Sequence, residues 1–333
     1  MKNPRQIVGM LLKLGLAVGV LGYLLHKMGL NKLGGTLKGL AGEWPWLLAG
    51  FLLCLPPLLL CMARWKRILD AQGMRLGWSK VNSIFFIGLF FNSFMIGPTG
   101  GDLMKAYYTA RETRHQKTEA VTTIFIDRII GLYAMALLVG TVILIRWDFF
   151  AANPAIRGAV AWPMLVACLT IIVGGAIAFG VHLFELCPWL RRLNHIPAVG
   201  KIMETVERAY NAFYVCRANP KLLVALLLYS FVIQLVFVVA SWCVGQALGL
   251  TVSFLDYLTF GPLIGLISAI PITPGGTGIR ELASIKLWGT LGVTDDRALL
   301  LAFIPFLYLV LWGIPGGLLF LFHKSDKEDE SHA

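Results

Sequence analysis

The feature that most constrains the fold is a series of long apolar stretches that runs through the whole chain. Most of them approach or exceed the ~20 residues that a helix needs to cross ~30 Å of hydrocarbon. The composition agrees, because 57% of the 333 residues are hydrophobic and only 14% are charged, unlike the composition of a soluble domain. The sequence therefore predicts an all-α polytopic membrane protein, with apolar stretches at 14–25, 45–62, 81–97, 129–145, 159–183, 222–248, 254–272 and 298–322.

The cysteines and histidines show no pattern that indicates a metal or redox site. The six cysteines are scattered along or beside the apolar stretches without a C-x-x-C pair, and the six histidines do not cluster. The sequence also contains no phosphate-binding loop and no nucleic-acid-binding motif. We therefore predict no metal, no cofactor and no nucleic-acid partner, and we expect the net charge of +11 to attract anionic membrane lipids.

Two of the apolar regions are interrupted by proline and glycine, in "GPTGGDLMK" at 97–105 and "ITPGGTGIRE" at 272–281. Glycine lets the backbone reverse, and proline has no N–H group to leave unpaired. Irregular backbone at membrane depth is tolerated only where protein or a water-filled cavity satisfies its polar groups. We therefore interpret 81–112 and 257–290 as re-entrant hairpins, with tips formed by Pro98, Gly100, Gly101, Pro274, Gly275, Gly276 and Gly278.

The distribution of lysine and arginine favours this topology. If all eight stretches crossed the membrane, the basic residues would divide almost evenly between the two sides. With six full spans and two hairpins, most of them lie on the cytoplasmic side, as the positive-inside rule requires. This predicts a multi-pass protein of the cell inner (plasma) membrane with both termini in the cytoplasm.

The order of elements becomes helix, helix, hairpin, helix, and this order occurs twice. The first half begins inside and the second begins outside, so the two halves form an inverted-topology repeat, which is the best sequence indicator of a transport site near the midplane. We predict a first repeat at 1–145 and a second at 146–322, followed by a disordered tail at 323–333. The stretch 199–217 has an apolar face and a charged face, which predicts an amphipathic helix on the cytoplasmic surface.

Charged residues follow both tips, at membrane depth. Each central charge costs ~2.5–3.5 kcal/mol on insertion scales, so these side chains should be paired or hydrated in the protein interior. One interpretation is structural pairing of Asp102 or Asp127 with Arg128, and of Glu281 with Arg280 or a backbone amide. The other is a polar chamber for an anionic headgroup, in which guanidinium groups bind phosphate through two hydrogen bonds. The candidate substrate-binding residues are Asp102, Lys105, Asp127, Arg128, Arg280 and Glu281.

Four segments resemble the membrane region of the lysylphosphatidylglycerol synthase/flippase family: "RWKRIL" (64–69), "FFNSFMIGPTGGDLMKAY" (90–107), "DRIIGL" (127–132) and "IPITPGGTGIRE" (270–281). The resemblance implies a protein that handles lipids, since the membrane region of the family moves aminoacylated phosphatidylglycerol between leaflets. It also adds Arg64 and Asn92 to the candidate substrate-binding residues. The positions that match the motifs are Arg64, Asn92, Pro98, Gly100, Gly101, Asp102, Asp127, Arg128, Pro274, Gly275, Gly276, Gly278 and Glu281.

The chain departs from the family pattern in two ways. Lys105 stands where the pattern more often has arginine. Only "HKSDKEDESHA" follows the last apolar stretch, so we expect no aminoacyl-transferase domain and no lipid aminoacylation by this chain.

These features predict a lipid transporter of flippase or scramblase type, without catalytic residues, that moves a phosphate-bearing lipid such as a phospholipid or a polyprenyl phosphate. Two alternatives remain open. One is a membrane-embedded lipid-modifying transferase, and the other is an accessory subunit that binds lipid-biosynthetic enzymes through the 199–217 helix.

Overall fold

The computed structural model describes residues 41–94, 100–113, 117–152, 154–180, 219–269 and 278–322. Several predicted features lie outside these ranges: the first apolar stretch at 14–25, the surface helix at 199–217, the tail at 323–333, and the tip residues Pro98, Pro274, Gly275 and Gly276.

The described residues are almost entirely helical. A 3₁₀ turn at Ala41–Glu43 precedes the first long helix, and a short helix at Pro154–Ile156 and a π-helix at Arg157–Ala161 lead into α7. The helices are α1 (Trp44–Leu53), α2 (Leu55–Ala71), α3 (Trp78–Phe94), α4 (Gly100–Glu112), α5 (Lys117–Ile145), α6 (Trp147–Ala152), α7 (Trp162–Gly180), α8 (Pro220–Ala247), α9 (Phe254–Ser268), α10 (Ile279–Gly289) and α11 (Asp295–Phe322).

Five helical stretches in the described part of the chain are long and apolar enough to cross a membrane. Within their apolar windows only 11% to 50% of the residues are buried by the protein itself, so large apolar side chains such as Phe125, Leu169 and Leu228 are exposed. An apolar surface of this extent is not stable in water. The chain is thus an all-α polytopic membrane protein, as predicted, and the five stretches are Trp44–Ala71, Thr118–Ile145, Arg157–Gly174, Pro220–Ala247 and Asp295–Leu321.

The two regions with Pro/Gly interruptions consist of short helices. In the first region α3 has 17 residues and α4 has 13, and in the second α9 has 15 and α10 has 11. Each is shorter than the ~20 residues needed to span the hydrocarbon at 1.5 Å per residue. Within each region the two helices pack against each other. We refer to α3 with α4 as the first broken segment and to α9 with α10 as the second.

The start of α5 differs from the sequence interpretation. The apolar stretch begins at 129, which would place Asp127 and Arg128 at the opening of the helix, but α5 begins at Lys117. Asp127 and Arg128 therefore lie well inside a helix of 29 residues. The helix continues through these charges because both side chains find partners on neighbouring helices, as described below.

The helices of the two broken segments occupy corresponding environments. The first helix of each broken segment packs against the last long helix of the other half, α3 against α11 and α9 against α5. The second helix of each packs against the long helix that follows it, α4 against α5 and α10 against α11. In the same way α2 contacts α3 and α5, and α8 contacts α9 and α11. Two of the three apolar cores in the described residues lie around the broken segments. The first contains Trp65 and Phe85, and the second contains Tyr257, Phe260 and Trp288.

Local sequence signals fix several helix ends in the second half. Ser253 and Asp256 form a reciprocal capping box at the start of α9. The side chain of Asn219 accepts a hydrogen bond from the Leu222 amide at the start of α8. Gly278 precedes α10 with φ of +90°, a conformation that glycine adopts without a steric penalty.

Candidate functional site

Arg64 and Asp127 form a buried ion pair between α2 and α5. The Arg64 Nε donates to Asp127 Oδ1 at 2.8 Å, and the two side chains are only 7% and 15% exposed. Arg64 Nη1 also donates to the Ser230 Oγ of α8 at 2.7 Å. One guanidinium group therefore connects three helices, and two of its donors are satisfied in the low-dielectric interior.

Arg128, the next residue along α5, pairs with a different helix. Its Nε lies 2.6 Å from Asp102 Oδ2, near the start of α4. The Arg128 side chain is 44% exposed, whereas that of Asp102 is 17% exposed. Of the structural pairings expected from the sequence, the Asp102–Arg128 pair is therefore present, while Asp127 pairs with Arg64.

Lys105 is buried on the same helix as Asp102, one turn further along. Its ammonium lies 4.3 Å from the centre of the Phe85 ring and 5.6 Å from that of the Trp65 ring. The Trp65 ring is held by a hydrogen bond of 3.2 Å from Nε1 to the Thr123 hydroxyl. Within the described residues Lys105 is therefore held by aromatic faces, and no carboxylate lies within ion-pairing distance of it.

Asn92 and Gly101 join the two helices of the first broken segment. The Gly101 amide donates to Asn92 Oδ1 at 3.0 Å. A Cβ on Gly101 would lie 1.9 Å from the Gly88 carbonyl oxygen and 2.6 Å from the Asn92 side chain. Gly101 is helical, and positive φ among the described glycines occurs at other positions. The requirement for glycine here therefore comes from the close approach of α3 and α4, and the side-chain amide of Asn92 is used by the backbone of α4.

The pair in the second broken segment is local. Arg280 Nη2 lies 2.6 Å from Glu281 Oε1, and the side chains are 16% and 14% exposed. The other Glu281 carboxylate oxygen accepts the Gly278 amide, so Glu281 also caps α10. The Arg280 guanidinium lies 4.5 Å from the centre of the Phe306 ring of α11, and its buried Nε has no hydrogen-bond partner within the described part of the chain.

The structure thus groups the predicted residues into two sets. Arg64, Asp102, Lys105, Asp127 and Arg128 come together from α2, α4 and α5, and we call this group the first-tip cluster. Arg280 and Glu281 form a separate pair on α10. Among the described residues no group of three or more histidine, cysteine, aspartate or glutamate side chains could hold a metal ion.

Sequence reasoning missed three contributors to the first-tip cluster. Ser230 could have been noted as an isolated hydroxyl within a strongly apolar helix. Trp65 stands next to Arg64 in the quoted "RWKRIL" segment, which could have indicated it. Phe85 carries no comparable signal, because an aromatic residue in an apolar stretch is ordinarily part of the core.

The fold and the two sets of ion pairs define a class of protein: a helical membrane protein whose interior holds arginine–carboxylate pairs beside interrupted helices. Residues 10–316 match the family described as lysylphosphatidylglycerol synthase TM region, and the chain belongs to this family. A similar curated protein, the UPF0104 membrane protein PH1989 of Pyrococcus horikoshii, is 22% identical over 290 residues, which cover 83% of this chain and 86% of the relative. No solved structure shows a significant match to the chain.

Proposed function

We propose that the protein is a lipid transporter of flippase or scramblase type, which moves a phosphate-bearing lipid between the two leaflets. The headgroup passes through the polar interior beside the broken segments, while the acyl or prenyl chains stay in the surrounding lipid. The observation that carries this proposal is the first-tip cluster: five charged side chains in the interior of an apolar protein, with the Arg128 side chain 44% exposed at its edge.

The energetics of charge in a membrane support a functional role for this cluster. Ionisable residues at membrane depth are costly and mark substrate or ion pathways. A purely structural pair could be replaced by apolar residues with little loss of stability, yet separate pairs include residues of both broken segments, Asp102 with Arg128 and Glu281 with Arg280.

We further propose that the broken segments are re-entrant hairpins and that the two halves form an inverted repeat. The corresponding packing of α3 on α11 and of α9 on α5 supports this arrangement, as does the shortness of the four helices. In the proposed orientation both termini are cytoplasmic, the membrane is the cell inner (plasma) membrane, and the first broken segment enters from the cytoplasm.

Within this proposal the charged residues have different roles. Arg128 and Arg280 hold the phosphate, since guanidinium groups bind phosphate oxygens through paired hydrogen bonds. Asp102 and Glu281 are the counter-charges that these arginines release when the headgroup arrives. Arg64 and Asp127 form a fixed brace, because Arg64 is also held by Ser230.

Reconstitution of the purified protein into liposomes tests the proposal. Labelled lipids with different headgroups are placed in one leaflet, and their appearance in the other is followed together with their chemical identity. We expect movement without chemical change, and an Arg128→Ala variant should move lipid at least about tenfold more slowly. Conversion of the lipid would support a lipid-modifying transferase. Absence of both movement and conversion for every lipid in the panel would leave the accessory role.

A further inference from the structure

A further polar cluster lies between the end of α5 and the start of α9, outside the two sets of ion pairs described above. Arg146, which follows the last residue of α5, donates through Nη1 to Asp256 Oδ1 and, at 3.2 Å, to the Thr259 hydroxyl. The side chains of Arg146 and Asp256 are 17% and 9% exposed. We call Arg146, Ser253, Asp256 and Thr259 the α5–α9 cluster. It joins the last helix of the first half to the first helix of the second broken segment.

The ion pair of this cluster can open without loss of helical structure. Asp256 Oδ2 accepts hydrogen bonds from the Ser253 amide at 2.9 Å and from the Ser253 hydroxyl at 2.7 Å, whereas Arg146 uses Oδ1. Arg146 also lies 4.7 Å from the centre of the Phe149 ring. When the pair separates, Asp256 therefore still caps α9, and Arg146 keeps its aromatic neighbour. Because both residues lie at helix ends, water can take the place of the broken contact.

The equivalent contact in the other half, between α3 and α11, is built differently. It is the most extensive contact between any two of the described helices, whereas α9 and α5 share a much smaller one. A Cβ on Gly316 of α11 would lie 1.8 Å from the Phe86 carbonyl oxygen, so the two backbones are in contact there. In α9 the atoms nearest to a Cβ on Gly265 belong to the end of the Met135 side chain, at 3.7 Å. The contact between α9 and α5 is therefore the one that can separate at lower cost.

The second broken segment is internally connected and is attached to α11. The Trp288 ring of α10 lies 4.9 Å from the Tyr257 ring and 5.2 Å from the Phe260 ring of α9, measured between ring centres. The Ser284 hydroxyl donates to the Ala298 carbonyl at 2.6 Å and so connects α10 to α11. A separation of α9 from α5 therefore leaves the second broken segment intact.

We propose that the α5–α9 cluster is the latch of a gate, which opens when Arg146 and Asp256 separate and the start of α9 moves away from the end of α5. The described structure is the closed form. In the orientation proposed above these helix ends face outside, so the gate opens the interior toward the outer face, as one half moves against the other. The use of the gate in transport rests on the proposed function, but its opening can be measured without any movement of lipid.

Thiol accessibility of the full-length protein in detergent tests the opening. Thr259→Cys, in a background with the native cysteines replaced by alanine, places a thiol beneath the ion pair, because Thr259 is only 2% exposed. A water-soluble thiol reagent reaches this position when α9 and α5 separate, so the labelling rate reports local opening. Arg146→Met and Asp256→Asn should each raise the rate on the order of tenfold, since each removes a charged hydrogen bond. Their combination should raise it no further, because both act on the same contact.

Two controls distinguish a gate from a general loosening of the protein. Arg157→Met should leave the labelling rate at position 259 unchanged, because Arg157 is exposed and lies outside the cluster. Val81→Cys places a thiol in α3, where Val81 is fully buried, and this position should stay protected in the Asp256→Asn variant. Faster labelling at both 81 and 259 would overturn the proposal, and so would an unchanged rate at 259. If Asp256→Asn does not fold, Arg146→Met gives the same test.

Lipid flux with a bridged latch separates this inference from the proposed function. Arg146→Cys with Asp256→Cys is bridged in liposomes by a bifunctional methanethiosulfonate reagent, and a reducing agent then cleaves the bridge. We expect lipid movement to stop on bridging and to resume on reduction, while each single-cysteine variant is unaffected. Movement that continues after complete bridging would overturn the latch and leave the transport function standing. Opening at position 259 without movement of any lipid by the unbridged protein would do the reverse.

Discussion

Asp127 and Arg128 are adjacent on α5 but contact different helices, and this geometry organises the interior around the first broken segment. Successive side chains on a helix point about 100° apart, so Asp127 faces α2 while Arg128 faces α4. α5 is thereby held between a buried brace and a partly exposed pair. The brace should contribute to stability, and the exposed pair should contribute to ligand binding.

The contribution of the Arg64–Asp127 ion pair to the stability of the protein can be tested by replacing one partner and then both. Arg64→Met should lower the free energy of unfolding by about 3–5 kcal/mol, because it leaves a buried carboxylate unpaired. Arg64→Met with Asp127→Asn should recover most of this loss. Thermal unfolding in detergent measures both, with Arg67→Met as the control, since Arg67 is exposed on the same helix. If the double variant were as unstable as the single one, the pair would not account for the effect.

We expect that Arg280 binds the phosphate of the substrate and does not only neutralise Glu281. Arg280→Lys keeps the charge but loses the planar fork, so we expect slower lipid flux, and Arg280→Ala should reduce flux further, by roughly tenfold or more. Arg280→Ala with Glu281→Gln should not recover flux, although glutamine removes the unpaired charge and keeps an oxygen for the Gly278 amide.

Flux for each Arg280 variant is measured in liposomes and normalised to folded protein. Recovery by the double variant would mean that Arg280 only neutralises Glu281. Arg128 would then be the principal phosphate-binding residue.

At the scale of helices, the broken segments show why glycine is needed at particular positions. The sequence analysis placed Gly101 at a hairpin tip, where glycine lets the backbone reverse, but in the structure Gly101 is helical and packs against the Gly88 carbonyl. Gly278 does have φ of +90°, as expected for a glycine at which the backbone reverses. The two positions use different properties of glycine, the absence of a side chain and the freedom of the backbone.

Gly101→Ala should destabilise the first broken segment. The added methyl group would lie 1.9 Å from the Gly88 oxygen, so α4 must move away from α3, at a cost of about 1–3 kcal/mol. The melting temperature in detergent should fall. Gly174→Ala in α7 is the control, because nothing lies within 4 Å of its added Cβ. An unchanged melting temperature for Gly101→Ala would show that α3 and α4 are not closely packed.

The part of this architecture that could be predicted from sequence is the part encoded locally. Apolar length and Pro/Gly interruptions identified the long helices and the two broken segments, and charges at membrane depth identified Asp102, Lys105 and Arg128 as candidates. The partners could not be predicted, because pairs such as Arg64 with Asp127 and Arg64 with Ser230 join residues far apart in sequence. The start of α5 could not be predicted either. A prediction from apolarity begins the helix after the charged residues, whereas the helix includes them because their side chains form ion pairs.

At the scale of the whole molecule, the corresponding packing of the two broken segments has a consequence for membrane orientation. If each segment enters the membrane and returns to the same side, both ends of the first segment face the cytoplasm and both ends of the second face outside. If they crossed instead, the two ends of each segment would lie on opposite sides. The two arrangements give different accessibility at four positions in the described residues.

Single cysteines at Arg75, Lys117, Thr251 and Asp295, in a background with the native cysteines replaced by alanine, distinguish these arrangements. Arg75 and Lys117 flank the first broken segment, and Thr251 and Asp295 flank the second. In intact cells an impermeant thiol reagent should label positions 251 and 295, and it should label 75 and 117 only after the membrane is opened. Arg75, Thr251 and Asp295 are exposed, and Lys117 is the first residue of α5, about three turns before the buried charges, so the substitutions should leave folding unchanged. Labelling of 117 but not 75 in intact cells would mean that the first broken segment crosses the membrane. The inverted repeat would then be wrong, and with it the proposal that the first broken segment enters from the cytoplasm and returns to it.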